Sequence, residues 1–182
     1  MEYILREWRT RKAKKFIKDG TLVADLGCGY KGSFLKSISR QIRKGVGYDV
    51  SVVKKGLPKN IVLKTIDLNK KIDNKRDYYD FVTALAVLEH VENPETFLKK
   101  IKMMLKTGGK IIITTPHKKA KSILEFLSFK MGFISKDEIA DHKNYFDEKT
   151  LKILLDSVGL KTIKLTTFEF GNNLFCVAQK II

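Results

Sequence analysis

Between Thr21 and Gly32 the chain reads TLVADLGCGYKG, and the chemistry this stretch permits is that of a cradle for a nucleotide-type cofactor. Leu22, Val23 and Ala24 form a short apolar strand that runs into Asp25 and then into a turn carrying Gly27, Gly29 and Gly32. A strand that turns at once into a helix needs backbone angles that side chains disfavour. A ligand lying against the turn also needs room where a Cβ would otherwise stand. Asp49 follows about twenty residues on, at the end of a second strand, where a carboxylate can accept hydrogen bonds from ribose hydroxyls. A second set of groups could move a proton: Glu89 and His90 after a fourth strand, His117 after a fifth, and Asp141, His142 and Tyr145 ahead of a late helix. All three histidines of the chain fall in this set, and unperturbed histidine titrates near neutrality.

Gly27-Cys28-Gly29-Tyr30-Lys31-Gly32 matches the GxGxxG spacing of dinucleotide sites, and Asp49 suits any ribose. Asp25 separates the options. Two positions before the glycines, its carboxylate suits the cationic amino group of S-adenosylmethionine and would sit badly beside a pyrophosphate. In addition, 182 residues leave no room for a separate dehydrogenase substrate domain, and the chain closes on a hairpin, which is not how a dinucleotide fold ends.

The elements that position these groups alternate. A helix over Ile4–Lys18, with Leu5, Trp8, Phe16 and Ile17 as its apolar stripe, precedes the first strand. A helix is expected over Ser33–Arg43, then a strand at Gly45–Val50, a brief helical segment, and a strand at Ile61–Ile66 with Asp67 at its end. Tyr79–Leu85 is the fourth strand. Pro94 and Glu95 open a helix through Leu105 that stops at Gly108-Gly109. Lys110–Thr115 is the fifth strand, and its Ile111-Ile112-Ile113 run implies burial on both faces. After Pro116 the rhythm changes, with a helix-like run around Ile123–Leu127. A helix over Asp147–Val158 follows, then strands Leu160–Thr167 and Leu174–Gln179 joined at Gly171-Asn172-Asn173. The expectation is one domain over 1–182: an α/β, doubly wound, mostly parallel seven-stranded sheet with an antiparallel C-terminal strand. Residues 1–19 form an N-terminal helix and 117–146 a substrate-side insertion.

A chain of this length buries roughly 70% of its unfolded surface and needs no disulfides or structural metal. Cys28 and Cys176 form no ligand or CxxC pattern, so no metal site is expected and a reducing, cytoplasmic setting fits. The N-terminus lacks the unbroken apolar core of a signal peptide, and no run approaches about 18 apolar residues, so no membrane insertion is expected. The net charge of +16 reads as a lysine-rich solvated surface, with nucleic acid as the competing partner.

The chain resembles the class I S-adenosylmethionine-dependent methyltransferases from about Thr21 to Lys180. VADLGCG matches the family's first motif, GYDVS its acidic second strand end, and TIDLN the acid after the third. DFVTALAVLEHVENPETFLKKIKMMLKTGGKIIITTP resembles the fourth to fifth strands of its small-molecule branch, and DHKNYFDEKTLKILLDSVGLK the approach to the sixth. The third glycine departs from the pattern, falling three residues after Gly29 rather than two, which implies a wider turn. The resemblance implies that Asp25 and the backbone at Gly27, Cys28 and Gly29 hold the methionine moiety. It implies Asp49 on the ribose, Val50 beside the adenine, Asp67 and Leu68 flanking the base, and Ala84 and Leu85 beneath the methionine amine. Methyl transfer is an in-line displacement that rests mainly on alignment, with a general base where the acceptor is a hydroxyl. Glu89, His90, His117 and His142 are the candidate catalytic residues, with His142 or His117 favoured as a general base and a solvated place among its lysines as the alternative for His117. No Asp/Asn-Pro-Pro-aromatic motif follows the fourth strand and no cysteine lies in the substrate segment, which speaks against DNA amine methylation and covalent attack on pyrimidines. The expected function is methylation of a small molecule or a lipid- or sugar-linked intermediate. The alternatives are an RNA methyltransferase, with basic Lys31–Lys44 as its support, and a non-catalytic S-adenosylmethionine-binding protein.

Overall fold

Burial along the strands decides the architecture of the protein, whose computed structural model describes residues 2–70, 72, 75–120 and 143–181. Side chains alternate across a strand, so a strand apolar at every position must be covered on both sides. Leu22, Ala24 and Leu26 of β1 (Leu22–Leu26) enter one apolar layer, and Val23 enters the other. In β5 (Leu105–Pro116), Ile111 and Ile113 share the first layer and Ile112 the second, as the triple-isoleucine run requires. The first layer is covered by α3 (Pro94–Met104) and α4 (Glu148–Ser157), through Leu98, Ile101, Leu151 and Leu155. The second is covered by α1 (Glu2–Lys14) and α2 (Ser33–Ile38), through Ala13, Phe34, Leu35 and Ile38.

The remaining strands are β2 (Lys44–Asp49), β3 (Ile61–Thr65), β4 (Tyr79–Leu85), β6 (Leu160–Phe168) and β7 (Asn173–Lys180), and the seven-stranded sheet has the order β3-β2-β1-β4-β5-β7-β6. Pairings are parallel from β3 through β5, whereas β7 runs antiparallel to both β5 and β6. Strands β1 to β6 therefore end on one edge, and the β6–β7 turn lies there too. The doubly wound sheet with its antiparallel C-terminal strand is as expected.

Four local expectations give way to tertiary contacts. The helix after the glycine turn ends at Ile38, short of Arg43, because Asn60 Nδ2 donates to the carbonyls of Ser39 (2.8 Å) and Ile42 (2.9 Å) while Arg43 N donates to Thr21 O (2.9 Å). No helical segment follows β2; instead Val53 N donates to Tyr30 O at 2.8 Å, drawing the chain back over the glycine turn. The helix expected to stop at Gly108-Gly109 stops at Met104, while its start is as expected, with Pro94 in the first turn behind the cap Asn93, whose side chain accepts from Thr96 N at 2.8 Å. Leu105 already pairs with Tyr79, and the glycines belong to a bulge before Lys110 pairs with Phe81. A Cβ on Gly109 would lie 2.8 Å from Lys106 O, so the close backbone approach is what requires glycine there. At the N-terminus, α1 ends at Lys14; Ile17 is buried and Phe16 rests on Phe175, but Trp8 is exposed.

Candidate functional site

The turn after β1 is built by its own hydrogen bonds. Gly27 N and Cys28 N both donate to Tyr48 O, at 2.8 and 3.1 Å, and Gly29 N donates to Asp49 Oδ2 at 2.8 Å. The glycines are not equivalent. Gly27 is left-handed (φ 70°), and a Cβ there would meet Val87 Cγ2 at 2.3 Å, so its space is taken by the loop after β4. Gly32 leads into α2 at φ 59°, and a Cβ there would meet Leu63 Cδ2 at 2.8 Å. Of these three, Gly29 alone has open space where its Cβ would stand. The room for a ligand that all three glycines suggested in sequence is found at one of them, and the wider spacing to Gly32 serves the entry of α2 beside Leu63.

Asp25 is 2% exposed, and its Oδ1 accepts from Thr83 Oγ1 at 2.6 Å. Burial pushes its carboxyl up to about 7, the Thr83 hydrogen bond opposes the rise and the nearby charge of Asp49 adds to it. Burial, then Asp25 and Asp49, push the Cys28 thiol well above its usual range, so Cys28 is no nucleophile. Two carboxylates at the turn, with no cation paired to the buried one among the described residues, are a donor set suited to a cationic ligand. Asp49 gives one oxygen to Gly29 and keeps the other for a partner, while neighbouring Val50 is left 66% exposed. Ala84 is buried, Leu85 half-buried, and Ala86 adopts φ 57°, its N–H donating to Thr114 O at 2.9 Å. Leu68 packs on the first apolar layer. Asp67 spends its carboxylate on its own turn, accepting from Asn69 N at 3.0 Å and pairing with Lys70 at 3.4 Å. These residues fit S-adenosylmethionine, whose ammonium, ribose and adenine would meet Asp25, Asp49 and Val50 in turn.

The proton-transfer candidates separate. Glu89 is 1% exposed with Oε2 lacking a hydrogen-bond partner, and burial raises its pKa against the pull of its own backbone N–H, His90, Arg9 and Thr115. Its carbonyl accepts from Lys143 N (2.8 Å) and Asn144 N (3.1 Å), which brings the segment before α4 against the loop after β4. His90 N turns back to Val87 O at 3.0 Å, and the ring is half-exposed. His117 is buried, not solvated among its lysines. Its Nδ1 accepts from Lys119 N at 3.0 Å, which leaves the proton on Nε2 to be shared with Glu148 Oε2 at 3.1 Å. A ring so held has no free lone pair. Asp141, His142, the Ile123–Leu127 run and most of 117–146 lie outside the described residues.

Sequence reading missed Thr83, which holds Asp25; Arg9 and Thr115, which act on Glu89; and Glu169, which the Arg9 charge also reaches. A hint lay in TTP closing an apolar strand and in the acid of TFEFG between two phenylalanines.

The family described as Methyltransferase domain matches residues 1–165. A ubiquinone biosynthesis O-methyltransferase of Shewanella sp. (strain ANA-3) is 27% identical over 78% of this chain and 64% of its own length. A mitochondrial ubiquinone biosynthesis O-methyltransferase of Dictyostelium discoideum is 30% identical over 86% of this chain and 57% of its own length. The chain thus spans less than two thirds of either relative. The structure of an S-adenosylmethionine-dependent methyltransferase from Mesorhizobium loti superposes with TM-score 0.73 at 17% identity, over 95% of this chain and 97% of that one. With its cradle, its strand-end acids and this sheet order, the chain belongs to the methyltransferase domain family, as a class I S-adenosylmethionine-dependent methyltransferase.

Proposed function

We propose that the protein methylates a hydroxyl of a small molecule, with S-adenosylmethionine held between the glycine turn and the loop after β4. The observation that carries this reading is the open space at Gly29 between buried Asp25 and half-committed Asp49. When bound, the cofactor supplies an electrophilic methyl on a sulfonium. Asp25 and the backbone of Gly27, Cys28 and Gly29 hold the methionine end, Asp49 the ribose, and Val50 and Leu68 flank the base, with Asp67 beside them bracing the turn through Asn69 N and Lys70. Ala84 and Leu85 form the floor beneath the methionine amine. Glu89 is the general base, because it is the catalytic candidate among the described residues with a buried carboxylate oxygen, Oε2, that completes no hydrogen bond. It takes the proton that the acceptor hydroxyl loses as its oxygen bonds the methyl carbon. His117, locked to Glu148, fastens the start of the 117–146 segment, and His90 serves to shape the acceptor side. The names of the curated relatives, which act in O-methylation, support an oxygen acceptor. Both cysteines are free and buried, which suits a reducing, cytoplasmic setting. Among the described residues no helix is long and apolar enough to cross a membrane.

Titration calorimetry with S-adenosylmethionine tests the cradle. Hydrogen bonds to a charged acceptor contribute about 1.5–3 kcal/mol, so Asp49→Ala weakens binding by roughly 10- to 150-fold. Unchanged affinity removes Asp49 from the site.

A further inference from the structure

Thr83 stands where the core would favour a hydrocarbon. It lies within β4 between buried Val82 and Ala84, and it pairs in register with Asp25 of β1 on one side and Ile112 of β5 on the other. Its side chain is 0% exposed. A valine of near-equal shape would suit such a strand, and a buried hydroxyl costs free energy unless it finds a partner. Thr83 Oγ1 lies 2.6 Å from Asp25 Oδ1 and 3.3 Å from Ala24 O. A threonine hydroxyl has one proton to give, and the shorter contact, to the group that can carry charge, claims it.

This bond ties the acid of the cradle to the strand that ends in Ala84 and Leu85. The other influences on the Asp25 carboxyl work the opposite way. Burial favours the uncharged acid, and Asp49, at the end of β2, adds a like charge. Cys28, in the turn, is a neutral thiol and brings no cation. Among the described residues, Thr83 alone acts on Asp25 in favour of the carboxylate. A ligand ammonium is held by that carboxylate and gains no ion pair from the protonated acid.

We propose that Thr83 is a positioning residue for the cofactor, its hydroxyl holding the Asp25 carboxylate in place and charged for the methionine ammonium, so that Thr83 sets the lowest pH at which S-adenosylmethionine binds tightly. The ligand's identity rests on the methyltransferase reading, whereas the coupling of Thr83 to Asp25 is measurable with no ligand present. A hydroxyl that merely tied β1 to β4 would leave the pH dependence of binding where it is.

Two measurements on Thr83→Val test this. In the ligand-free protein, the carboxyl carbon of Asp25 is followed by NMR after carbon-13 labelling and identified by its disappearance in Asp25→Asn. It titrates about one to two pH units higher in Thr83→Val than in the unaltered protein. Calorimetric affinity for S-adenosylhomocysteine, which carries the same ammonium, is about 10- to 100-fold weaker in Thr83→Val at about pH 6. The gap closes to within about twofold by about pH 9.5, where Asp25 is ionised in both proteins. The ligand's own titration cancels in that ratio. Thr83→Ser keeps the hydroxyl and restores both curves, and Thr83→Ala replaces Thr83→Val should the valine protein not fold. An unmoved Asp25 midpoint, no affinity gap, or a gap of constant size across the pH range overturns the proposal and leaves Thr83 a tie between strands. Failure of S-adenosylhomocysteine to bind the unaltered protein at any pH overturns the methyltransferase reading instead, and the carboxyl titration still decides whether Thr83 governs Asp25.

Discussion

The cofactor cradle and the acceptor side share one sheet edge and are built on opposite principles. In the cradle, Gly27 N, Cys28 N, Gly29 N and Gly32 N all have partners within the protein, so the turn is shaped before any ligand arrives. Outside the cradle, buried Arg9 Nε, Glu89 Oε2, Thr115 Oγ1 and Glu169 Oε1 complete no hydrogen bond. A site for one fixed cofactor gains from backbone already in its bound form, since no ordering remains to be done on binding. A site that must choose an acceptor and move its proton gains from polar groups that only the right partner completes. The two sites also differ in origin. The cradle comes from neighbouring residues, whereas the groups that act on Glu89 come from distant positions, 9 and 115 among them.

The sharpest way to break this contrast is Glu89→Gln, which keeps shape and removes the proton acceptor. Turnover falls by about 10²–10⁴-fold while cofactor affinity holds. In the unaltered protein the acidic limb of kcat/KM against pH lies above the ordinary glutamate range, because burial raises the Glu89 pKa. Turnover that survives Glu89→Gln, with its pH profile intact, would leave alignment alone as the source of the rate. It would also make the acceptor side as passive a scaffold as the cradle.

Legibility follows the same division. The glycine turn, Asp49 and the whole of β4 could be read directly, because strand, turn and acid spacing are local properties. The triple isoleucine announced a strand buried on both faces for the same reason. The end of α3 could not be read. Gly108-Gly109 carries a helix-stop signal, yet the pairing of Leu105 with Tyr79 and the approach of Gly109 to Lys106 O turn it into a bulge. Gly27 was correctly marked as required, but for a ligand, when Val87 occupies the space sixty residues later in the chain. Arg9 and Glu169 gave almost no signal. A basic helix and an acid in a hairpin acquire meaning only when the fold brings the Arg9 charge to both Glu89 and Glu169.

The glycines offer the next test, within the cradle itself. Gly27→Ala adds left-handed strain of about 1–2 kcal/mol and a clash with Val87 of about 1–3 kcal/mol. Denaturant unfolding should therefore show a loss of roughly 2–5 kcal/mol, a large share of the usual stability of a domain. Gly29→Ala carries only the strain, near 1–2 kcal/mol, because its Cβ meets nothing in the protein. Its larger effect falls on cofactor affinity, since the added methyl stands where the ligand lies. Equal losses of stability at the two positions would mean that the Val87 contact does not govern Gly27, and the assignment of Gly29 as the ligand's glycine would lose its basis.

The smallest expected effect tests the charge at the floor of the cradle. Burial lifts Asp25 to about 7 from an ordinary 3.8. A raised folded pKa means that the folded protein holds the proton more tightly than the unfolded chain does. The stability this contributes is complete below about pH 3.8 and is lost as pH climbs to about 7. A cationic cofactor has the opposite demand, because it is held by the carboxylate and not by the acid. As pH falls below about 7, affinity for S-adenosylmethionine drops by up to about tenfold per unit. Ligand-free stability and cofactor affinity should therefore move in opposite directions between about pH 5.5 and 7.5, and Asp25→Asn should flatten the Asp25 share of both. Comparing the unaltered protein with Asp25→Asn by denaturation and by calorimetry removes the contributions of the histidines, which the two proteins share. Slopes that persist undiminished in Asp25→Asn would move the cofactor's amino group away from Asp25. The cradle would then be a turn pre-shaped for a nucleoside, with its charge recognition placed elsewhere on the edge.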